Sequence, residues 1–223
     1  MTMGETIKLT ADDGFTLSAY KAKPQGKPKA CIIVIQEIFG VNGHIKRDAD
    51  KFARLGFMAV APCVFDRVET GVELGYDQSA MEKGRDLVMK LGLDNALRDI
   101  RATANYLLTF GPVGAVGYCW GGSVAWACAT RLGIPAVGYY GGRTAALMHE
   151  KPQAPVMLHF GAKDHLIPMS DVTKLRYAHQ SVPMHVYEAG HGFNCDERPG
   201  SYDKATADLA LQRTLDFFAA HLV

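Results

Sequence analysis

The chain has 223 residues, 48% of them apolar and 21% charged, enough to fill a core and remain in water. Its formal net charge is +1, with 24 basic residues scattered against 23 acidic ones, which excludes the electrostatic footprint of a nucleic-acid or anionic-membrane binder. The longest apolar run, Ala30–Ile35, is too short to cross a bilayer, and the N-terminus lacks the basic and apolar regions of a signal peptide.

In chain order, Ile7–Thr10 and Phe15–Tyr20 flank Asp12-Asp13-Gly14 and predict a hairpin. Ala30–Ile35 is an unbroken apolar run, as expected of a strand buried on both faces. The stretch from Ile45 to Leu55 predicts a helix ended by Gly56, and Phe57–Ala61 a strand stopped by Pro62. Ser79–Leu91 and Asn95–Leu108 carry helical periodicity. Val113–Val116 predicts a strand, Ser123–Arg131 a helix, and Ala136–Tyr140, Pro155–Phe160 and His185–Glu188 further strands. The chain closes on an amphipathic helix, Asp203–His221, with Ala207, Leu211, Leu215 and Phe218 on one face. This alternation predicts one α/β domain over residues 1–223: a mostly parallel sheet with helices on both faces. Ligands of such sheets sit at the carboxyl ends of the strands, so the chemistry is sought in the loops that follow them.

The most informative of those loops is Gly117-Tyr118-Cys119-Trp120-Gly121-Gly122. An apolar strand runs into a glycine-flanked cysteine and then into a helix, the Gly-x-nucleophile-x-Gly turn of the α/β-hydrolase fold with Cys119 in the serine's place. The helix N-terminus that follows favours thiolate. Asp164 follows the strand Pro155–Phe160, and His191 sits in Ala189-Gly190-His191-Gly192-Phe193 after the last strand. Nucleophile, acid, histidine is the chain order of that fold. In this arrangement His191 handles the proton of Cys119 while Asp164 fixes the imidazole. His165 follows the acid too closely to face it, and His159, inside a strand, reads as a core or edge residue. An oxyanion hole would draw on the backbone N–H of Trp120 and on that of Ile38, in the loop Gln36-Glu37-Ile38-Phe39-Gly40. Glu37 is an acid where such loops commonly carry apolar residues or glycine. The five cysteines (Cys31, Cys63, Cys119, Cys128, Cys195) are odd in number and widely spaced. They form no CxxC pair or metal-ligand spacing, and a reducing cytoplasm is expected. No P-loop or dinucleotide fingerprint is present, so neither cofactor nor metal is expected.

Together the Gln-Glu-Ile-Phe-Gly loop, the Gly-Tyr-Cys-x-Gly-Gly elbow, Gly161–Asp164 and Gly190-His191-Gly192-Phe193 resemble the dienelactone hydrolase (carboxymethylenebutenolidase) family over nearly the whole chain. The resemblance implies hydrolysis of a small carboxylate-bearing lactone through a thioester on Cys119. It implies that Glu37 holds the resting thiol and takes its proton when substrate arrives, which protects the sulfur between turnovers. It places a carboxylate-binding arginine at Arg67 and a second one at Cys195, four residues after His191, where the nearest arginine is Arg198. It lines the pocket with Phe39 and the pair Tyr139-Tyr140, and it implies a monomer. The missing second arginine leaves room for a general esterase or thioesterase on the same machinery. A ligand sensor on the same fold is the reading from another class.

Overall fold

The computed structural model describes residues 4–222. Eight strands form a mostly parallel sheet: β1 (Glu5–Thr10), β2 (Thr16–Ala22), β3 (Cys31–Ile35), β4 (Met58–Pro62), β5 (Val113–Tyr118), β6 (Ala136–Tyr139), β7 (Val156–Gly161) and β8 (Met184–Tyr187). Their order is β1-β2-β4-β3-β5-β6-β7-β8. The chain divides into two compact units within β5, between Ala115 and Val116.

In the first unit, β1 and β2 pair antiparallel with Leu9 opposite Leu17. The turn between them closes through Gly14 N–H to the Ala11 carbonyl at 3.0 Å, with Gly14 at φ 83°, the left-handed conformation that favours glycine there. β2 pairs antiparallel with β4, and β3 parallel with β4. All five residues of β3 and all five of β4 are buried, as the unbroken apolar runs predict. α1 (Gly43–Arg54) opens on Asn42, whose side chain accepts the Ile45 N–H. α2 (Gln78–Leu91) opens on Asp77, which accepts the Ala80 N–H at 2.9 Å; such caps satisfy first-turn donors the helix itself cannot. α3 (Leu93–Leu107) packs on β1, β3 and β4.

In the second unit, β6, β7 and β8 pair in parallel, with Tyr139 opposite His159 and His159 opposite His185. α4 (Trp120–Ala127) follows β5 directly and gives way to a π-helical turn, Cys128–Leu132, ended by left-handed Gly133. α5 (Met169–Ala178) is a helix the sequence pattern did not predict. Only Val172 and Leu175 of its ten residues are buried, too few for a readable stripe. α6 (Lys204–His221) is the predicted closing helix, but its buried face is turned. Ala207 and Phe218 are buried as expected, whereas Leu211 and Leu215 are half-buried and Ala210, Thr214 and Phe217 take the inner positions. Thr214 can do so because its hydroxyl has partners inside, including the Ala210 carbonyl at 2.9 Å.

Candidate active site

Cys119 stands between β5 and α4 with φ 53° and ψ −118°, a conformation costing a non-glycine residue of order 1–3 kcal/mol. Its neighbours explain how it persists. A Cβ on Gly117 would collide with the Gly121 carbonyl oxygen, and one on Gly122 with the Tyr139 carbonyl oxygen. The turn is therefore drawn tight against β6, where the Cys119 N–H donates to the Tyr139 carbonyl at 3.0 Å. The Gly122 N–H returns to the Cys119 carbonyl at 2.9 Å. Trp120 begins α4, so its backbone N–H belongs to the first turn and lacks an acceptor within the helix.

Asp164 and His191 reach the thiol from the loops after β7 and β8. These loops are stitched together: Ala162 N–H donates to the Tyr187 carbonyl at 2.7 Å, and Lys163 N–H to that of Ala189 at 3.0 Å. A Cβ on Gly161 would strike the Ala189 carbonyl oxygen, so the approach depends on glycine. One carboxylate oxygen of Asp164 accepts the N–H groups of Leu166 (2.8 Å) and Ile167 (3.2 Å). The other lies 2.7 Å from His191 Nδ1. His191 Nε2 lies 3.3 Å from the Sγ of Cys119. Asp164 and His191 are buried, and Cys119 is half-buried.

Burial alone would depress the basicity of His191. The hydrogen bonds and charges of Asp164 and Cys119 outweigh it and raise the pKa to about 10. A histidine so placed holds a proton more tightly than a free one, which suits general acid–base work beside a sulfur.

Glu37, Ile38 and Phe39 lie in the first unit, in the loop after β3. α2 approaches so closely that a Cβ on Gly84 would strike the Ile38 carbonyl oxygen. Gly40 bridges to Glu73, and the Phe39 carbonyl accepts the Leu74 N–H at 2.9 Å. Phe39 packs edge-on to Tyr76 with ring centroids 4.6 Å apart. Glu37 is buried, an unusual state for a carboxylate in a loop.

A family model described as the dienelactone hydrolase family matches residues 17–222. A carboxymethylenebutenolidase of Pseudomonas putida is 32% identical over 227 residues, covering 96% of each chain. Carboxymethylenebutenolidase 1 of Cupriavidus pinatubonensis is 28% identical, covering 97% of each. A solved structure from Klebsiella pneumoniae, classed with the dienelactone hydrolases, superposes with a TM-score of 0.83 at 29% identity, covering 97% of this chain and 98% of that one.

The chain belongs to the dienelactone hydrolase family.

Membership makes it a hydrolase of ester or lactone bonds on the α/β-hydrolase fold. Arg67, expected at the substrate carboxylate, already has carboxylate partners within the chain. Its guanidinium is committed to two carboxylates: Nε and Nη2 grip Asp99 at 2.8–3.0 Å, and Nη1 and Nη2 grip Asp13 at 2.8 and 3.1 Å. Its face lies 4.5 Å over the Phe15 ring. With two anions already on one cation, a substrate carboxylate would meet net negative charge there. Arg67 ties the β1–β2 turn to α3 instead.

The other expected site residues fall in the second unit. Tyr140 leaves β6 at φ 38° and sets its ring edge-on to His191, centroids 5.1 Å apart. The Nη1 of Arg198 lies 3.1 Å from where a Cβ would stand on Gly192, beside the catalytic-loop backbone. Cys195 is buried. Sequence reasoning missed Arg143, three residues beyond Tyr140. Its backbone N–H is pinned to Ser123 Oγ at 2.9 Å, while its exposed guanidinium has no partner among the described residues. The available signal was position, in the loop at the carboxyl end of β6.

Proposed function

We propose that the chain opens small lactones or activated esters, carboxylate-bearing lactones of the dienelactone kind among them, by acylating Cys119. The relay from Cys119 Sγ through His191 to Asp164, at 3.3 and 2.7 Å, carries this reading. Sulfur attacks the acyl carbon, a C–S bond forms, and the carbonyl electron pair moves to oxygen. The Trp120 N–H meets the developing oxyanion. Collapse breaks the ring C–O bond and expels an enolate or alkoxide, which takes its proton from His191. Water then attacks the thioester with His191 as base, and the carboxylate product leaves as the thiolate returns.

A second reading keeps this chemistry but changes the substrate to a general ester or thioester, and the commitment of Arg67 to Asp13 and Asp99 favours it. Arg143, whose guanidinium is exposed, is a cation that could meet a substrate anion, and Arg198 stands beside the Gly192 backbone. We read all 223 residues as one catalytic domain, acting as a cytoplasmic monomer; among the described residues no helix is long and apolar enough to cross a membrane.

The test is steady-state hydrolysis of a dienelactone beside p-nitrophenyl acetate, for wild type and Cys119→Ala. Lactone turnover lost in the variant supports the first reading, and ester turnover alone the second. Stoichiometric labelling of Cys119 without turnover would indicate a sensor.

A further inference from the structure

A second histidine is buried in the same unit. His159, in β7, is 0% exposed. Its Nδ1 lies 2.8 Å from the Tyr187 hydroxyl and its Nε2 lies 3.2 Å from Thr214 Oγ1. The neighbours decide which nitrogen carries the proton. We place the Thr214 hydroxyl hydrogen on the Ala210 carbonyl one turn back in α6, 2.9 Å away, so that its oxygen accepts from other groups. Nε2 must then be the N–H, and the Tyr139 phenol, 2.6 Å from the same oxygen, must donate too. Nδ1 is left as an acceptor, served by the Tyr187 hydroxyl, whose oxygen takes an N–H from Arg213 at 3.1 Å. With that placement each proton from Arg213 to Ala210 has one assignment. It requires a neutral imidazole, since a proton on Nδ1 would expel the Tyr187 hydrogen from the chain.

The surroundings favour that neutral form. Tyr139 of β6 lies 4.5 Å away between ring centroids, His185 of β8 stacks at 5.5 Å, and Arg213 reaches in from α6. Burial, then the charges of His185 and Arg213, hold His159 well below the ordinary histidine value.

This chain of bonds ends at the catalytic residues. Tyr139, held by Thr214 through its phenol, offers its carbonyl to the Cys119 N–H. Tyr140, edge-on to His191, donates its N–H to the His159 carbonyl at 2.7 Å. Phe193, two residues after His191, packs on Tyr139, Tyr140 and Tyr187.

We propose that His159, as the neutral Nε2–H tautomer, is a positioning residue for the hydrolysis, fixing Cys119 through Thr214 and Tyr139 and fixing Tyr140 against His191 through its own carbonyl. This rests on the reading of Cys119 and His191 as nucleophile and base. Helix, strand and loop are joined by polar bonds rather than apolar packing because bonds set position more narrowly than contacts do.

Thr214→Val keeps the shape and removes the shared acceptor. The expected result is a kcat for p-nitrophenyl acetate lowered about tenfold with KM unchanged. A changed pH profile for alkylation of Cys119 by iodoacetamide should accompany it, and Thr214→Ser should restore both. Nitrogen NMR of the wild type should show His159 neutral and protonated at Nε2. A Thr214→Val enzyme with wild-type kcat and alkylation profile overturns the proposal, as does an Nδ1–H or doubly protonated ring. A wild type without esterase activity would instead count against the hydrolase reading, and the alkylation profile and tautomer would still decide the role of His159.

Discussion

The N–H of Cys119 donates to the carbonyl oxygen of Tyr139 at 3.0 Å, so the strained backbone at Cys119 is held from the neighbouring strand. A Cβ on Gly122 would collide with that same oxygen. Gly122→Ala is expected to destabilise the protein by about 1–3 kcal/mol and to lower kcat beyond what the stability loss explains, because the displaced carbonyl is the anchor of the turn. Urea denaturation beside steady-state kinetics checks both parts. Unchanged kcat would mean that the elbow tolerates movement of β6.

Asp164→Asn keeps the bonds to the Leu166 and Ile167 N–H groups, which one oxygen can still accept. It removes the charge that helps His191 hold its proton. The expected outcome is a kcat reduced by a factor of order 10³–10⁴, little change in KM, and a His191 that titrates lower. Proton NMR of the imidazole and a kcat–pH profile measure it.

His191 and His159 tilt stability in opposite directions with pH. The raised value of His191 contributes stability that is full below the ordinary 6.5 and is lost as pH rises through about 10. The lowered value of His159 contributes stability present above 6.5 and lost as pH falls, because unfolding lets the ring take up a proton. Denaturation curves across pH are expected to flatten on the alkaline side in His191→Gln and on the acid side in His159→Phe. The opposite pattern would reverse the assignments.

Arg67→Gln separates a structural part for that residue from a substrate-binding one. Asp99 has a fully buried side chain whose carboxyl burial already raises its pKa despite Arg67. Without the guanidinium its charge is uncompensated, and a loss of about 3–5 kcal/mol is expected, with KM for anionic and neutral esters shifting alike. Arg143→Gln, at an exposed position, should leave the melting temperature unchanged and raise KM for anionic esters selectively. A selective KM effect at Arg67 would return it to the substrate site.

The elements with apolar rhythm and the glycine-flanked cysteine were legible in the sequence because each carries its cause locally. The buried runs of β3 and β4 can be read residue by residue, and so can Gly117 and Gly121 around Cys119. What escaped depends on partners distant in the chain. Thr214 and His159 are polar, and nothing in the sequence says that Tyr139, Tyr187 and Arg213 will satisfy them inside. The burial of Leu211 and Leu215 was therefore overestimated and the face of α6 misplaced. Arg67 occupied the expected position, but the Asp13 and Asp99 that claim it lie 54 and 32 residues away. Tyr140 continued an apolar run on paper, yet its φ of 38° takes it out of the strand.

The central claim is an acyl bond at Cys119, and intact-protein mass spectrometry after rapid acid quench with p-nitrophenyl acetate tests it most directly. One acetyl group per chain is expected, located on Cys119, forming with a stoichiometric burst of p-nitrophenol and absent in Cys119→Ala, which also loses turnover. Sustained turnover by Cys119→Ala, or acyl mass on another residue, would contradict it.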